Sequence, residues 1–346
     1  MPERILRLPK VKKGISILIP LAMSLSLLPA ADPPQAEIAN KQLRVKLYLP
    51  DGKHGYYQGT RFDWSGVIYS LEFEKHNYYG PWFNRTNPDV HDFIYDGADI
   101  VAGPCSAITG PVDEFAPLGW DQAEPDGLFI KVGIGALRKP AGDTKYDNYK
   151  LYAIVDPGKW SVKKHRDSIE FSQELSAAGY RFLYRKTVRL VSGKPEMLLE
   201  HSLRNLGTRA IHTNVYNHNF LTLDGRPPGP GLSVSVPFQI QSSHPPDKKL
   251  AEIHGNQIIY LDTLKDRNVV ATPIQGFGGN ASDHVIRVED TRAAAGMKIQ
   301  ADRPLLRESL WSIRSVIAVE PFVQITVEPG AEFTWKSSYE YYTLSR

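Results

Sequence analysis

Residues 211–225 read IHTNVYNHNFLTLDG and alternate with the two-residue period of a β-strand. One side of this strand is apolar, as a face packed on a core should be, and consists of Ile211, Val215, Leu221 and Leu223. The other side is polar and aromatic and consists of Asn214, Tyr216, His218 and Phe220. We therefore predict a strand with one face in the core and the other forming a wall that could hold a sugar.

Short strands separated by turn residues recur through the rest of the chain. We predict them within 60–74 and at 43–49, 129–137, 150–155, 160–165, 168–175, 180–191, 197–205, 232–237, 257–261, 284–290, 297–301, 313–327 and 333–344. No window of comparable length shows a helical period, so the pattern favours an all-β fold, a large antiparallel β-sandwich. We assign residues 41–346 to one such domain and residues 32–40, rich in Pro and Ala, to a linker before it.

Residues 1–31 differ from the remainder of the chain. A basic head is followed by the uncharged, apolar run 14–31, and the head contains Arg4, Arg7, Lys10, Lys12 and Lys13. This order is typical of a secretory signal peptide and predicts an exported protein, either periplasmic or secreted. An uncleaved N-terminal anchor is the alternative, because the apolar run is just long enough to enter a membrane.

Composition and motifs exclude several classes of function. Without residues 1–31 the formal net charge is near −1, so the sequence pI of 8.7 belongs largely to the leader and does not indicate a nucleic-acid partner. Cys105 is the only cysteine, so no intramolecular disulfide can form. The sequence contains no HExxH, paired CxxC or P-loop motif, and we predict neither a metal nor a cofactor.

A second strand carries an isolated acid. Residues 315–327 read SVIAVEPFVQITV, with Ile317, Val319, Val323, Ile325 and Val327 on an apolar face. Glu320 stands on the opposite face and is the only acid within the strand. In this register it points to the same side of a sheet as His218. A carboxylate and a histidine that face each other across a ligand can act as general base and general acid.

Two stretches have the character of loops. Residues 76–93 are dense in Tyr, Trp, Asn and Arg, and we interpret them as the rim of a binding site. Residues 103–120 are also loop-like, and we interpret Asp113 and Glu114 as rim charges there. Arg61 is interpreted as a surface or structural residue. Aromatic side chains that could form stacking platforms are Trp82, Trp120 and Tyr216.

Three segments resemble the galactose mutarotase (aldose 1-epimerase) family. The segment NHNFLTLDG, residues 217–225, resembles the family signature NHxYFNLxG. The segment IAVEP, residues 317–321, resembles the motif CLEPQ/ALETQ, and residues 327–341 resemble the terminal pattern LxPGExYxxxxxYxF. These matches occur in the family's order over roughly the last 160 residues. The chain is identified as a divergent member.

The resemblance implies a fold, an activity and a set of residues. The fold is the galactose mutarotase-like supersandwich, and the activity is the interconversion of sugar anomers without a cofactor. His218 is then the general acid and Glu320 the general base. Residues implied or interpreted as sugar-binding are Tyr216, Asn217, Trp82 and the pair Asn84-Arg85. The family's His-Gly-Gly loop is absent, because Thr109-Gly110-Pro111 stands where it should follow.

The sequence leaves three functions open. The first is an aldose 1-epimerase-like enzyme acting on a free sugar or a glycan end-group. The second is a non-catalytic carbohydrate-binding protein of the same fold, and the third is a lyase or hydrolase built on the same sandwich. Side chains of His218 and Glu320 that face one cleft at a sugar's width favour an enzyme, whereas divergent side chains favour a binding protein.

Overall fold

The computed structural model describes residues 32–345. The predicted signal peptide or anchor, residues 1–31, lies outside the described residues. From Pro33 onward the chain forms one compact unit. Within residues 32–345, no helix is long and apolar enough to cross a membrane.

The described chain is built of strands and two short 3-10 turns. In chain order the strands are β1 Gln35–Ala39, β2 Leu43–Tyr48, β3 Val67–Phe73, β4 His76–Asn77, β5 Arg85–Thr86, β6 Phe93–Asp96, β7 Asp99–Ala102, β8 Gly110–Phe115, β9 Leu128–Lys131, β10 Gly135–Arg138, β11 Ile154–Asp156, β12 Lys159–Lys164, β13 Ser168–Ala177, β14 Tyr180–Leu190, β15 Glu196–Asn205, β16 Ile211–Phe220, β17 Leu232–Ser235, β18 Ala251–His254, β19 Gln257–Tyr260, β20 Val270–Pro273, β21 Val285–Asp290, β22 Ala295–Ala301, β23 Arg307–Ile313, β24 Val316–Val327 and β25 Glu332–Thr343. The 3-10 turns are Leu223–Gly225 and Ala281–Asp283.

Two large antiparallel sheets form the body of the protein. The larger has ten strands in the order β12-β13-β14-β15-β25-β22-β21-β17-β19-β18. The second has five, in the order β20-β23-β24-β16-β8. Three smaller sheets, β1-β2-β3-β4, β11-β10-β9 and β5-β7-β6, accompany them, and β5 pairs with β7 in parallel. The prediction of an all-β fold with a large antiparallel sandwich is confirmed.

The alternation of side chains along each strand determines which residues form the core. In β14, every second residue is buried while those between are more exposed, as one solvated face requires. The buried positions of this strand are Tyr180, Phe182, Tyr184, Lys186, Val188 and Leu190. Lys186 is 1% exposed and is the one charged member of that row, so the core must supply acids to pair with it.

Three local predictions need correction. The predicted linker 32–40 contains β1, which pairs with β2 and buries Ile38 at 1% exposure. The predicted loop 103–120 contains β8, and all six residues of β8 are buried. The single strand predicted at 129–137 is the hairpin β9–β10, which turns at Gly133 with φ of 78°. A left-handed φ of this kind favours glycine and ends the first strand.

A buried acid lies on the core side of β23. Glu308 is 1% exposed, and neither of its carboxylate oxygens has a hydrogen-bond partner among the described residues. Because burial disfavours the charged form, the pKa of Glu308 rises to about 8.

The raised pKa of Glu308 predicts how the free energy of unfolding depends on pH. Between pH 4.5 and about 8 the folded protein keeps the Glu308 proton that the unfolded chain has lost. The free energy of unfolding therefore falls as pH rises through that window, by up to about 1.4 kcal/mol per pH unit. The variant Glu308→Gln stays neutral and should lose this decline in urea denaturation at pH 5, 6.5 and 8. Parallel curves for wild type and variant would contradict the prediction, and the exposed Glu328→Gln is the control.

Candidate active site

A cavity of about 760 Å³ lies against one face of the five-stranded sheet. Four strands contribute alternate side chains to this wall, namely Asn214, Tyr216, His218 and Phe220 from β16, Glu320 and Phe322 from β24, Ser309 and Trp311 from β23 and Glu114 from β8. The β16 residues are the polar and aromatic set read from the sequence, so the predicted two-faced strand is confirmed. The opposite wall comes from irregular segments that carry Arg61, Trp82, Asp92 and Tyr149.

Strand register places His218 directly opposite Glu320. The ladder of β16 and β24 runs from Ile211↔Val327 to Tyr216↔Phe322 and resumes at Leu221↔Ile317. Continuing this register pairs position 218 with position 320. The ladder is interrupted where Pro321 has no N–H to donate. The side-chain amide of Asn219 donates instead to the carbonyl of Val319 at 2.8 Å.

The two side chains meet inside the cavity. His218 Nε2 lies 3.1 Å from Glu320 Oε1, and the two side chains are 5% and 17% exposed. The imidazole stacks on Phe220 at 3.7 Å between ring centres and meets the ring of Phe62 edge-on at 5.7 Å. Ser309 Oγ donates a hydrogen bond of 2.9 Å to Glu320 Oε2. The histidine is thus held in an aromatic box and its carboxylate partner is fixed by a hydroxyl.

Burial changes the proton affinity of both groups. The pKa of His218 lies well below its ordinary value of 6.5, first because burial disfavours the cation and then because Arg61 is positively charged. Burial raises the pKa of Glu320 above its ordinary 4.5, while the Ser309 hydrogen bond and the charge of Arg61 oppose the rise. The imidazole is therefore neutral at pH 7. Both shifts favour the neutral form of the group, and perturbed pKa values of this kind are common at functional sites.

A second, fully paired cluster lies beside them. Arg61 Nε donates to Glu114 Oε2 at 2.7 Å, and its Nη2 donates to the Tyr216 hydroxyl at 2.9 Å. That hydroxyl donates in turn to Glu114 Oε2 at 2.6 Å. Lys131 Nζ lies 3.5 Å from Glu114 Oε1. Burial alone would raise the pKa of Glu114, but Arg61 and Lys131 bring it below its ordinary value.

One sequence interpretation is wrong at this point. Asp113 and Glu114 were expected as rim charges, yet they are 2% and 7% exposed because buried cations compensate both. Arg61 was expected as a surface or structural residue; it is not on the surface, and it lines the cavity while paired with Glu114. The signal that could have located Arg61 is its place in TRFDWSG, where two opposite charges flank Phe62.

The predicted sugar-binding residues fall into two groups. Tyr216 and Trp82 line the cavity, and Trp82 stacks parallel to Phe220 with 5.7 Å between ring centres. Asn217 lies on the opposite face of β16, where its amide donates to Asp113 Oδ1 at 3.0 Å. This placement follows from alternation, since Asn217 is next to His218 in the strand.

The pair Asn84-Arg85 does not reach this cavity. Asn84 Oδ1 accepts a hydrogen bond from the backbone of Ile100 at 2.8 Å, and Arg85 forms exposed ion pairs with Asp96 and Asp99. These contacts tie together the small sheet β5-β7-β6. Trp120, a predicted stacking platform, is likewise absent from the cavity wall.

Several cavity residues were not singled out from the sequence. Two of them, Trp311 and Arg307, lie on β23, where no strand was predicted before residue 313. The charged pair Arg307-Glu308 at the start of β23 hid the alternation. Within residues 32–345, no three His, Cys, Asp or Glu side chains are grouped to hold a metal ion.

The fold has relatives among solved structures. No protein-family model and no curated protein matches the chain. The Slr1438 protein of Synechocystis sp. PCC 6803 is similar with a TM-score of 0.53 at 12% identity, covering 91% of this chain and 98% of that one. A galactose mutarotase-like protein from Lactobacillus casei ATCC 334 gives 0.50 at 13% identity, covering 89% and 100%. The GalM/aldose epimerase homologue from C. elegans gives 0.50 at 14% identity, covering 90% and 99%.

These likenesses define the class of protein. The chain has the fold shared by galactose mutarotase-like sandwich proteins, over nearly its whole described length. The fold that the sequence motifs implied is therefore confirmed, and the identities of 12–14% show a divergent sequence. Identities of this size speak to the fold alone and not to the activity.

The buried cluster around Glu114 predicts that removing its negative charge lowers the free energy of unfolding. Glu114→Gln removes the charge that compensates Arg61 and Lys131, both of which are buried. Leaving buried cations unpaired typically costs about 3–5 kcal/mol of unfolding free energy. Urea denaturation at pH 7 measures it, with the exposed Glu124→Gln as matched control. A loss under about 1 kcal/mol, the range of exposed pairs, would show that the cluster is solvated and not compensated by Glu114.

Proposed function

We propose that the protein binds a sugar in this cavity and interconverts its anomers, with Glu320 as general base and His218 as general acid. One observation carries the proposal, namely the 3.1 Å contact of these two side chains on the wall of a cavity large enough for a sugar. The fold shared with aldose epimerase-like proteins supports the proposal.

The reaction needs two proton transfers, one at each of the two oxygens that are bonded to C1. Glu320 takes the proton of the hydroxyl on C1, and the electron pair forms the C1 carbonyl as the bond from C1 to the ring oxygen breaks. His218 gives a proton to the ring oxygen. After the C1–C2 bond turns, the reverse steps close the ring on the other face and return both protons.

The separation of the two side chains differs from the criterion set by the sequence. A sugar's width between acid and base was taken to favour an enzyme, and His218 and Glu320 are instead in contact. Contact suffices, since the C1 hydroxyl oxygen and the ring oxygen are bonded to the same carbon. The adjacent imidazole and carboxylate can therefore reach both of these oxygens, provided that the sugar binds with C1 toward them.

The cavity also offers groups that suit a sugar. Aromatic faces from Trp82 and Trp311 stand on its walls, and apolar sugar faces pack on such rings. Polar side chains that could orient hydroxyl groups are Asp92, Asn148 and Asn214. This mixture of mostly apolar walls with a few polar groups is usual in small-molecule sites.

Removing either member of the pair should abolish turnover. His218→Ala and Glu320→Gln are each expected to lower the rate of mutarotation by about 10²–10⁴-fold, the usual contribution of general acid–base catalysis. The assay follows freshly dissolved glucose, galactose and other aldoses by polarimetry or NMR. The control is His212→Ala, an exposed histidine of the same strand.

The same assay separates the enzyme from the alternative. Sugar binding by calorimetry, with no acceleration by the wild-type protein for any sugar, would overturn the epimerase proposal and favour a non-catalytic carbohydrate-binding protein. Acceleration that survives in both variants would place catalysis elsewhere.

The pH profile follows from the two pKa shifts. The working pair holds one proton, on His218 before ring opening and on Glu320 after it. Because the pKa of His218 lies well below 6.5, the protonated imidazole is already scarce at that pH, and the raised pKa of Glu320 limits activity at lower pH. We expect kcat/KM of the free enzyme to peak on the acid side of pH 6.5 and to fall as pH rises. An optimum at or above pH 7 would contradict this assignment.

A further inference from the structure

Arg307 is an unpaired cation at the cavity. Its side chain is exposed, and its guanidinium carbon lies 3.7 Å from the centre of the Phe322 ring. No hydrogen bond or ion pair joins this guanidinium to any other described residue. Phe322 stacks in turn on Tyr216, at 4.3 Å between ring centres and 19° between planes. The guanidinium thus rests on this ring stack, and its N–H groups have no partner among the described residues.

The other arginine of the cavity, Arg61, and the lysine beside it, Lys131, are already paired. Arg61 is bound to Glu114 and Tyr216, and Lys131 donates to the carbonyl of Phe115 and lies beside Glu114. Arg307 differs because no described carboxylate lies within ion-pair distance of it, although its charge acts on Glu320 from farther away. A single positive charge therefore remains available to a ligand.

Register relates this charge to the acid–base pair. Arg307 pairs with Phe322, and Ser309 pairs with Glu320. Arg307 and Glu320 are thus diagonal neighbours on the cavity face, with Cα atoms roughly 7–8 Å apart. A pyranose whose C1 faces Glu320 can direct a substituent of C5 toward Arg307 across such a distance.

We infer that the sugar taken by this site carries a carboxylate, as a uronic acid does, and that Arg307 binds it. The inference rests on the proposed function for the placement of C1. A planar guanidinium with a free edge matches a carboxylate through two parallel hydrogen bonds. A phosphate carries close to two negative charges, whereas the cavity offers one unpaired guanidinium among the described residues. The charge balance therefore favours the carboxylate.

The test compares charged and neutral sugars. Mutarotation by NMR and binding by calorimetry are measured for glucose, galactose, glucuronate, galacturonate and glucose 6-phosphate at one ionic strength. The proteins are wild type, Arg307→Gln, Arg307→Lys and the control Arg204→Gln, which changes an exposed arginine of β15 away from the cavity. Circular dichroism checks that each variant is folded.

We expect the uronates to have the lowest KM with wild type. Arg307→Gln should raise the uronate KM by about 10- to 100-fold, the size of a lost charged hydrogen bond, and change the KM of the neutral sugars far less. Arg307→Lys should restore part of the loss, and Arg204→Gln should behave as wild type.

Each other outcome decides the question. Equal KM values for uronates and neutral sugars, or an Arg307→Gln variant that keeps the wild-type KM, overturns the inference while the epimerase proposal stands. A preference for the phosphate over both uronates overturns the carboxylate. Uronate binding that depends on Arg307 without any mutarotation supports the inference and overturns the epimerase. No binding of any sugar overturns both.

Discussion

Asp113 is the charge on which the packing of the two large sheets depends. Lys186 Nζ lies 2.8 Å and His201 Nε2 3.0 Å from its carboxylate, and the amide of Asn217 donates to it at 3.0 Å. Burial opposes ionisation, but Lys186 and His201 hold the pKa of Asp113 well below its usual range. These partners come from β14, β15 and β16, so one carboxylate on β8 joins both sheets. Such a network is strong only in one arrangement, which gives the packing its specificity.

This packing contact determines the geometry of the site. Asn217 is fixed on the core side by Asp113 and by the hydroxyl of Tyr339, which donates to its Oδ1 at 3.1 Å. Because side chains of a strand alternate, the neighbours Tyr216 and His218 must then face the cavity. Asn217 was predicted as a sugar ligand. The structure gives it contacts that hold the backbone next to His218, the proposed acid, in place.

Periodicity predicted the parts of the molecule in which polarity and burial agree. β16 and β24 follow the rule of one apolar and one functional face, and so both the sandwich and the shared side of His218 and Glu320 could be read from the chain. β8 breaks that rule, since Asp113 and Glu114 are adjacent acids on opposite buried faces. Their compensation comes from Lys186 and Lys131, distant in sequence. No local pattern reveals such a pairing, and for that reason the burial of Asp113 and Glu114 was not predicted.

The two acid-containing clusters of the site, around Glu114 and around Glu320, differ in how their charge is compensated. Glu114 is buried with two cations and a hydroxyl, so its charge is neutralised before any ligand arrives. Among the described residues, Glu320 has no lysine or arginine within ion-pair distance, and its near partners are the Ser309 hydroxyl and His218. A site that only held a sugar by hydrogen bonds would gain nothing from burying an acid beside an imidazole without a compensating cation. That cost is understandable when the pair must pass one proton back and forth, because groups that change charge during a reaction cannot be locked by a permanent counter-ion.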